Sequence, residues 1–228
     1  MKSILNANQV YDLLLDSNII GANGYISFEL ANIKVRIDTT DTVGITLQAW
    51  LKQWFLENDI YFSEPANTQD FPDFYLHNTN KKSNMLEVKA FKYSRSPAFD
   101  IANFESYCAS LEQEAYRLDA DYIIFGYDMN KEGYITIKKV WLKKIWEITG
   151  SSSRFPLKTQ VKRDVIYNIR PSINFKNGTE PDFKNKEDLL KAIYETLILY
   201  RGNKVANTWI KNTIESYYNY TNQRLEIL

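Results

Sequence analysis

Phe71-Pro72-Asp73-Phe74-Tyr75-Leu76-His77 and Met85-Leu86-Glu87-Val88-Lys89-Ala90-Phe91 are two apolar-rich runs separated by a polar stretch, Asn78 to Asn84. Each run reads as a β-strand and the polar stretch as the turn between them. Side chains alternate along a strand, so Glu87 and Lys89 share one side while Leu86, Val88 and Ala90 face a core on the other. If the hairpin pairs His77 with Met85, then Tyr75 lies opposite Glu87 and Asp73 opposite Lys89. Asp73 and Glu87 become diagonal neighbours, with α-carbons about 7–8 Å apart. A slip of one residue would break that arrangement.

Two carboxylates that converge in this way, completed by water, suit Mg²⁺, which keeps much of its hydration. The carbonyl of Val88 is a third candidate ligand. Lys89, beside the ion, is placed to orient or deprotonate a water. The competing reading is a surface salt bridge among Glu87, Lys89 and a neighbour.

Working outward, Leu47, Trp50, Leu51, Trp54 and Phe55 recur by three and four, which predicts a helix over Thr46 to Glu57. Ile60 to Phe62 is a short strand candidate. Ile101, Phe104, Cys108, Leu111, Ala115 and Leu118 predict a second helix, starting near Pro97 or Asp100. Tyr122 to Tyr127 is almost wholly apolar, as a buried central strand would be. Tyr134 to Leu142 is the next strand. Before the first helix, Val10, Leu13 and Leu14 suit a short helix, Gly21 to Gly24 a turn, and Leu30, Ile33, Val35 and Ile37 a strand. Gly150 to Ser153 is hinge-like. Beyond it, Arg154 to Lys176 reads as irregular and carries six Lys or Arg against one Asp. Lys186 to Tyr200 and Val205 to Tyr220 predict two C-terminal helices. The fold class is α/β: a mixed β-sheet flanked by helices, followed by a basic and helical lobe. The expected division is a core with an N-terminal extension over residues 1–150 and a recognition segment with C-terminal helices over 151–228, the two packed as one compact domain.

Asp73 together with Glu87-Val88-Lys89 resembles the PD-(D/E)xK nuclease signature, and the element order from Thr46 to Leu142 is similar to that superfamily's restriction-endonuclease-like core. The resemblance implies a phosphodiester hydrolase in which Asp73 and Glu87 hold Mg²⁺ at the scissile phosphate and Lys89 assists the attacking water. Some members carry a Glu on the helix before the Asp strand, after a G-x-x-L/F pattern. Here Gly44-Ile45-Thr46-Leu47 is followed by Gln48, an amide that cannot serve as an anionic ligand but can hold a water. A second Pro-Asp, in Glu180-Pro181-Asp182-Phe183-Lys184, lies among Asn, Gly and Lys and reads as a loop leading into a helix.

The stretch after the lysine, Lys92 to Phe104, is similar to that in type II restriction enzymes, nearest to the NgoBV-like group. That resemblance implies a GGNNCC palindrome as target, a two-fold homodimer, a cognate DNA methyltransferase as functional partner, and a bacterial cytoplasmic setting. Tyr93, Ser94, Arg95 and Ser96 form a polar loop beside the motif, which either contacts the DNA backbone or caps the next helix through Ser96 and Asp100. Arg154, Lys158, Lys162, Arg163 and Arg170 are candidates for contacting bases or phosphates of double-stranded DNA. Single-residue readings are blander: His77 is structural, and Cys108 and the tryptophans are core.

Composition agrees with this picture and narrows it. The chain has 228 residues with 28 Lys and Arg balanced by 28 Asp and Glu. Neutrality argues against a protein that coats nucleic acid nonspecifically. One cysteine excludes an internal disulfide and cysteine-built zinc sites. No run approaches the roughly 20 apolar residues that span a bilayer, and Met1 to Tyr11 does not read as a signal peptide. Two alternatives stay open: a nuclease that reads branched DNA structure, and a DNA-binding protein of the same fold whose acidic cluster is structural.

Overall fold

The computed structural model describes residues 2–67 and 70–227. Along the chain the elements are α1 (Ala7–Asp16), β1 (Asn23–Leu30), β2 (Ile33–Ile37), α2 (Val43–Glu57), β3 (Phe74–Tyr75), β4 (Met85–Lys92), β5 (Ala102–Asn103), α3 (Phe104–Glu114), β6 (Asp121–Met129), β7 (Tyr134–Lys144), α4 (Ile145–Ile148), β8 (Thr159–Lys162), β9 (Val165–Ile169), α5 (Asn174–Asn177), α6 (Lys186–Arg201) and α7 (Asn203–Thr221). They form two compact units, residues 1–96 with 121–143, and residues 97–120 with 144–228. The units interleave along the chain, whereas the expected division was a single boundary at residue 150. Segment 97–120 belongs with the C-terminal helices because α3 is bonded to α7. Trp209 Nε1 donates to the Cys108 carbonyl at 2.8 Å, and Asn212 Nδ2 to Glu112 Oε1 at 2.8 Å.

The first unit is built on a six-stranded mixed sheet in the order β2-β1-β7-β6-β4-β3. β4 and β6 run parallel, from Leu86↔Asp121 to Lys92↔Tyr127. A parallel pair needs a long connection, and here segment 97–120 supplies it. Leu86 and Val88 of β4 and Ile123 and Phe125 of β6 share a core with Leu47, Leu51, Trp54 and Phe55 of α2. The expected helix is therefore present with its buried stripe, except that Trp50, expected in the core, is 37% exposed. On the strands' other side, Phe91 and Tyr93 stack on Trp141, with ring centroids 5.6 and 6.2 Å away. Gly126 makes room for this stack, since a Cβ there would lie 2.8 Å from the Trp141 ring.

The N-terminal half holds a hairpin, β1–β2, with Leu30↔Ile33 closing a two-residue turn. Its turn residues, Ala31 and Asn32, have φ of 48° and 65°. The strand therefore starts at Asn23, within the expected turn. Ile60 to Phe62 is not a strand. Ile60 makes one isolated bridge to Ser3, and Ser63 one to Tyr75.

In the second unit, the segment read as irregular contains the hairpin β8–β9, which with β5 makes a three-stranded sheet. Its turn is Arg163-Asp164, with φ of 50° and 63°. Such turns favour Asn-Gly or Asp-Gly, so Arg-Asp gave no signal. The α3 helix begins at Phe104, later than expected, because Ala102 and Asn103 pair with β9. Its cap is Asn103, whose side chain accepts from the Ser106 N–H at 3.0 Å. Asp119 at the foot of α3, Lys186 of α6 and Tyr217 of α7 form a hydrogen-bonded triangle. Tyr217 donates to Asp119 Oδ2 at 2.7 Å, Lys186 Nζ to the Tyr217 hydroxyl at 2.5 Å, and Lys186 also pairs with Asp119.

Candidate active site

The strand pairing differs from the expected register by two residues. Tyr75 lies opposite Met85 and Phe74 opposite Leu86. An even shift preserves which face each side chain takes, so Asp73 and Glu87 still share a side. One step further along the ladder they are directly opposed, not diagonal. The cause is the connecting loop. The Leu76 N–H donates to the Asn84 carbonyl at 2.8 Å, and residues Lys81–Ser83 form a 3-10 turn. His77 sits inside that loop, its Nδ1 accepting from the N–H groups of Thr79 and Asn80 at 3.1 and 3.0 Å. The lone histidine is a turn cap, in line with its structural reading.

Pro72 precedes Asp73 and has no N–H to give to the β4 edge. The Asp73 carboxylate instead meets the donor on that edge: its Oδ2 accepts from the Val88 N–H at 2.7 Å. A residue's N–H and C=O point to the same edge of a strand, so the Val88 carbonyl is directed to the same side. Asp73 Oδ1 accepts from Gln48 Nε2 of α2 at 2.7 Å. The Gln48 amide is thus bound to the carboxylate itself. Glu87 is buried; its Oε2 accepts from the Asp73 N–H at 3.2 Å and its Oε1 lies 2.9 Å from Lys89 Nζ. The Glu87 and Lys89 side chains are 11% and 19% exposed, so their ion pair is not a loose surface contact.

Burial pushes the Asp73 carboxyl up to about 7, and the Glu87 carboxylate facing it pushes the same way. The Val88 N–H and Lys89 hold it back, while Glu64 adds to the rise. Glu64 was not singled out in the sequence. It is held by Lys52, one turn of α2 beyond Gln48, at 2.5 Å, and nothing in its own sequence context marks it. Two opposed carboxylates that resist joint ionisation fit a divalent cation, whose charge would relieve that repulsion. The donors are oxygens alone, as hard cations require. Among the described residues, no group of three or more His, Cys, Asp and Glu could hold a metal; the candidate set is two carboxylates and a carbonyl.

A family description, NgoBV restriction endonuclease, matches residues 4–228. The chain belongs to that family. It is 41% identical over 229 residues to the type II restriction enzyme NlaIV of Neisseria lactamica, covering 98% of this chain and 93% of that protein. To the type II restriction enzyme NgoBV of Neisseria gonorrhoeae it is 38% identical over 161 residues, 70% of this chain and 91% of that one. The solved structure of the NlaIV restriction endonuclease superposes with a TM-score of 0.91 at 38% identity, over 100% of this chain and 94% of that one. As a member of the NgoBV family, the chain is a type II restriction endonuclease, a site-specific deoxyribonuclease acting on double-stranded DNA. Enzymes of this kind are generally metal-dependent. Among the described residues, no helix is long and apolar enough to cross a membrane.

The remaining residues singled out in this family member's sequence fall into two groups. Two of the basic ones are committed within the second unit. Arg170 bonds Asp100 and donates to the Ala98 carbonyl at 2.8 Å, and Lys158 Nζ donates to the Pro171 carbonyl at 2.9 Å. Lys162 and Arg163 are exposed at the end of the β8–β9 hairpin, and exposed Arg154 pairs with Asp164 of its turn at 2.8 Å. In the first unit the loop after β4 exposes Ser94, Arg95 and Ser96. It is pinned at its start, where the Ser94 N–H donates to Asp128 Oδ1 at 3.0 Å, and Tyr93 packs on Trp141. Ser96 and Asp100 do not cap α3. The second Pro-Asp is a loop, and Asp182 accepts from the Ser151 N–H at 2.8 Å and Asn174 Nδ2 at 2.9 Å.

Proposed function

We propose that Asp73, Glu87 and Lys89 are the catalytic residues of this restriction endonuclease, and that the reaction is magnesium-dependent hydrolysis by direct attack of water. The observation that carries the proposal is the opposed pair of carboxylates, Glu87 buried and Asp73 half-buried, with the lysine 2.9 Å from Glu87. Asp73, Glu87 and the Val88 carbonyl would hold Mg²⁺, which supplies the positive charge that polarises a scissile phosphate and eases loss of a proton from water. Gln48 fixes the orientation of Asp73. Lys89 donates a hydrogen bond to the attacking water or to a phosphate oxygen and offsets the charge that develops there. No covalent intermediate with the chain is required.

Tyr93 to Ser96, Arg154, Lys162 and Arg163 contact the duplex in this reading, while Lys158 and Arg170 act by holding the recognition hairpin in place. The relatedness to NlaIV and NgoBV supports a GGNNCC palindrome as target. A palindrome calls for a two-fold homodimer. A bacterial cytoplasm holding such an enzyme also needs a DNA methyltransferase of the same specificity.

Digestion of unmethylated phage DNA tests the reading. Discrete bands in Mg²⁺, absent in EDTA and absent with Lys89→Ala, are expected, with ends mapping to GGNNCC. Equal cleavage by Lys89→Ala would overturn the assignment of the site. Bands with ends elsewhere would overturn the target.

A further inference from the structure

A bulge sets the two faces of the β8–β9 hairpin. Ile166 and Ile169 are both buried, although residues three apart on a regular strand point to opposite sides. The register explains the exception. Val161 lies opposite Ile166 and Gln160 opposite Asn168, so β9 carries one residue more than β8, Tyr167. Such an extra residue resets which way the following side chains point. Residues opposite each other in an antiparallel pair share a side. Ile166 with Val161 and Ile169 with Thr159 therefore take the core side, while Gln160, Asn168, Lys162 and Val165 take the other.

On that second side two amides are joined. Asn168 Nδ2 donates to Gln160 Oε1 at 3.1 Å, and both residues are half-buried. The bond uses one hydrogen of Asn168 and the oxygen of Gln160. Gln160 Nε2 remains as a donor and Asn168 Oδ1 as an acceptor. Beside them, exposed Tyr167 lies under Lys162, whose Nζ is 5.6 Å from the ring centroid. Lys162 and Arg163 stand exposed at the end of the hairpin.

We propose that Gln160 and Asn168 read a G·C pair in the major groove of the target. The inference rests on the proposed contact of this hairpin with the duplex. The major groove, about 12 Å wide, admits a two-stranded β-ribbon, and the basic residues at the hairpin's end meet phosphates along its rim. A G·C pair shows there the N7 and O6 acceptors of guanine and the N4 donor of cytosine. Gln160 Nε2 donates to guanine, and Asn168 Oδ1 accepts from cytosine. An A·T pair offers the reverse at the matching positions, the N6 donor of adenine and the O4 acceptor of thymine. Donor then faces donor and acceptor faces acceptor, which rejects that pair. A lone amide carries a donor and an acceptor and can rotate to suit either pair. The bond between Asn168 and Gln160 removes that freedom, because it fixes which end of each amide is left to meet the base.

Gel shifts of the full chain in Ca²⁺, which holds off cleavage, test this. The duplexes carry the site mapped by digestion, or that site with one G·C pair of each half changed to A·T. The unmodified protein is expected to bind each changed duplex about 10–100-fold more weakly, the weight of a base-reading contact. Gln160→Ala and Asn168→Ala should erase that penalty at one and the same G·C position and keep it at the others, with circular dichroism spectrum and salt slope unchanged. Gln160→Met, of similar shape and without polar ends, should do the same. A penalty kept at every position in all three variants would overturn the proposal, and so would an even loss at all positions, the mark of residues that only hold the hairpin. The pair Lys162→Ala and Arg163→Ala separates this inference from the contact it rests on. If they leave the salt slope unchanged, the hairpin does not meet the duplex and both readings fall. If they lower it while the amide variants keep every penalty, the base reading alone falls.

Discussion

The side-chain amide of Gln48 donates to Asp73 Oδ1 at 2.7 Å, on the carboxylate whose other oxygen takes the Val88 N–H at the same distance. A helix and a strand edge therefore fix both oxygens of one catalytic candidate. Groups that orient a ligand in this way are worth about 10–100-fold in activity or metal affinity when removed. Gln48→Ala is expected to lower kcat within that range and leave DNA affinity unchanged, measured in Ca²⁺ to prevent cleavage. Gln48→Glu replaces the donor with a second negative charge. It should raise the Asp73 carboxyl further above its ordinary value in metal-free protein, as read by carbon NMR titration. An unshifted Asp73 would show that residue 48 does not act on it.

The Lys89–Glu87 pair leads to a different expectation. Lys89→Ala removes the donor proposed to act on the attacking water and should reduce kcat by about 10²–10⁴-fold, the usual weight of a positioned acid, base or charge. Glu87→Gln keeps the shape and removes the charge that Asp73 feels. The Asp73 carboxyl is expected to fall from about 7 towards its ordinary value in that variant. Magnesium binding should weaken at the same time, seen by calorimetry in the absence of DNA. Retained magnesium affinity in Glu87→Gln would remove Glu87 from the ligand set.

Alkaline pH should destabilise the second unit through Lys186 and Tyr217. Burial alone would lower the Lys186 pKa, but its hydrogen bonds to Asp119 and Tyr217 outweigh that and leave it raised. Burial also raises the Tyr217 hydroxyl. Both groups hold their protons more tightly folded than unfolded. Their contribution is therefore complete below the unfolded values, at about 10, and is lost as pH rises through the folded values. Urea denaturation between pH 8 and 11 should show this fall. Asp119→Asn should flatten it and cost about 2 kcal/mol at pH 8, the order expected when one member of a partly buried charged hydrogen-bond network is removed. An unchanged slope in Asp119→Asn would mean that other groups govern alkaline unfolding.

The site was legible in the sequence because strand alternation assigns faces without requiring the exact register. The strand pairing shifted by two residues from the expected register, with His77 capping the turn, and Asp73 still met Glu87. Gln48 was found through its place on the helix, but its bond to the carboxylate was not, since helix-to-strand distance is a tertiary property. Both two-residue hairpin turns, Ala31-Asn32 and Arg163-Asp164, escaped notice because neither contains glycine. Glu64 is near Asp73 only through the fold, and no local pattern distinguishes it from an ordinary surface glutamate.

In the proposed reading, the basic hairpin separates residues that would bind DNA from residues that hold the hairpin. Lys162 and Arg163 extend into solvent, whereas Arg170 ties β9 to Ala98 and Asp100. Each lysine or arginine that neutralises a phosphate releases a counterion and adds about one unit to the slope of log affinity against log salt. Lys162→Ala and Arg163→Ala are each expected to lower that slope by about one and to weaken binding, with melting temperature unchanged. Arg170→Ala should instead cost about 1–3 kcal/mol of stability, because it leaves a carboxylate and a carbonyl without their donor. It should also loosen the hairpin that carries the other two, so specificity falls even where the protein remains folded. A salt slope unchanged by Lys162→Ala and Arg163→Ala together, in a folded protein, would move DNA contact away from this hairpin and onto the loop at Arg95.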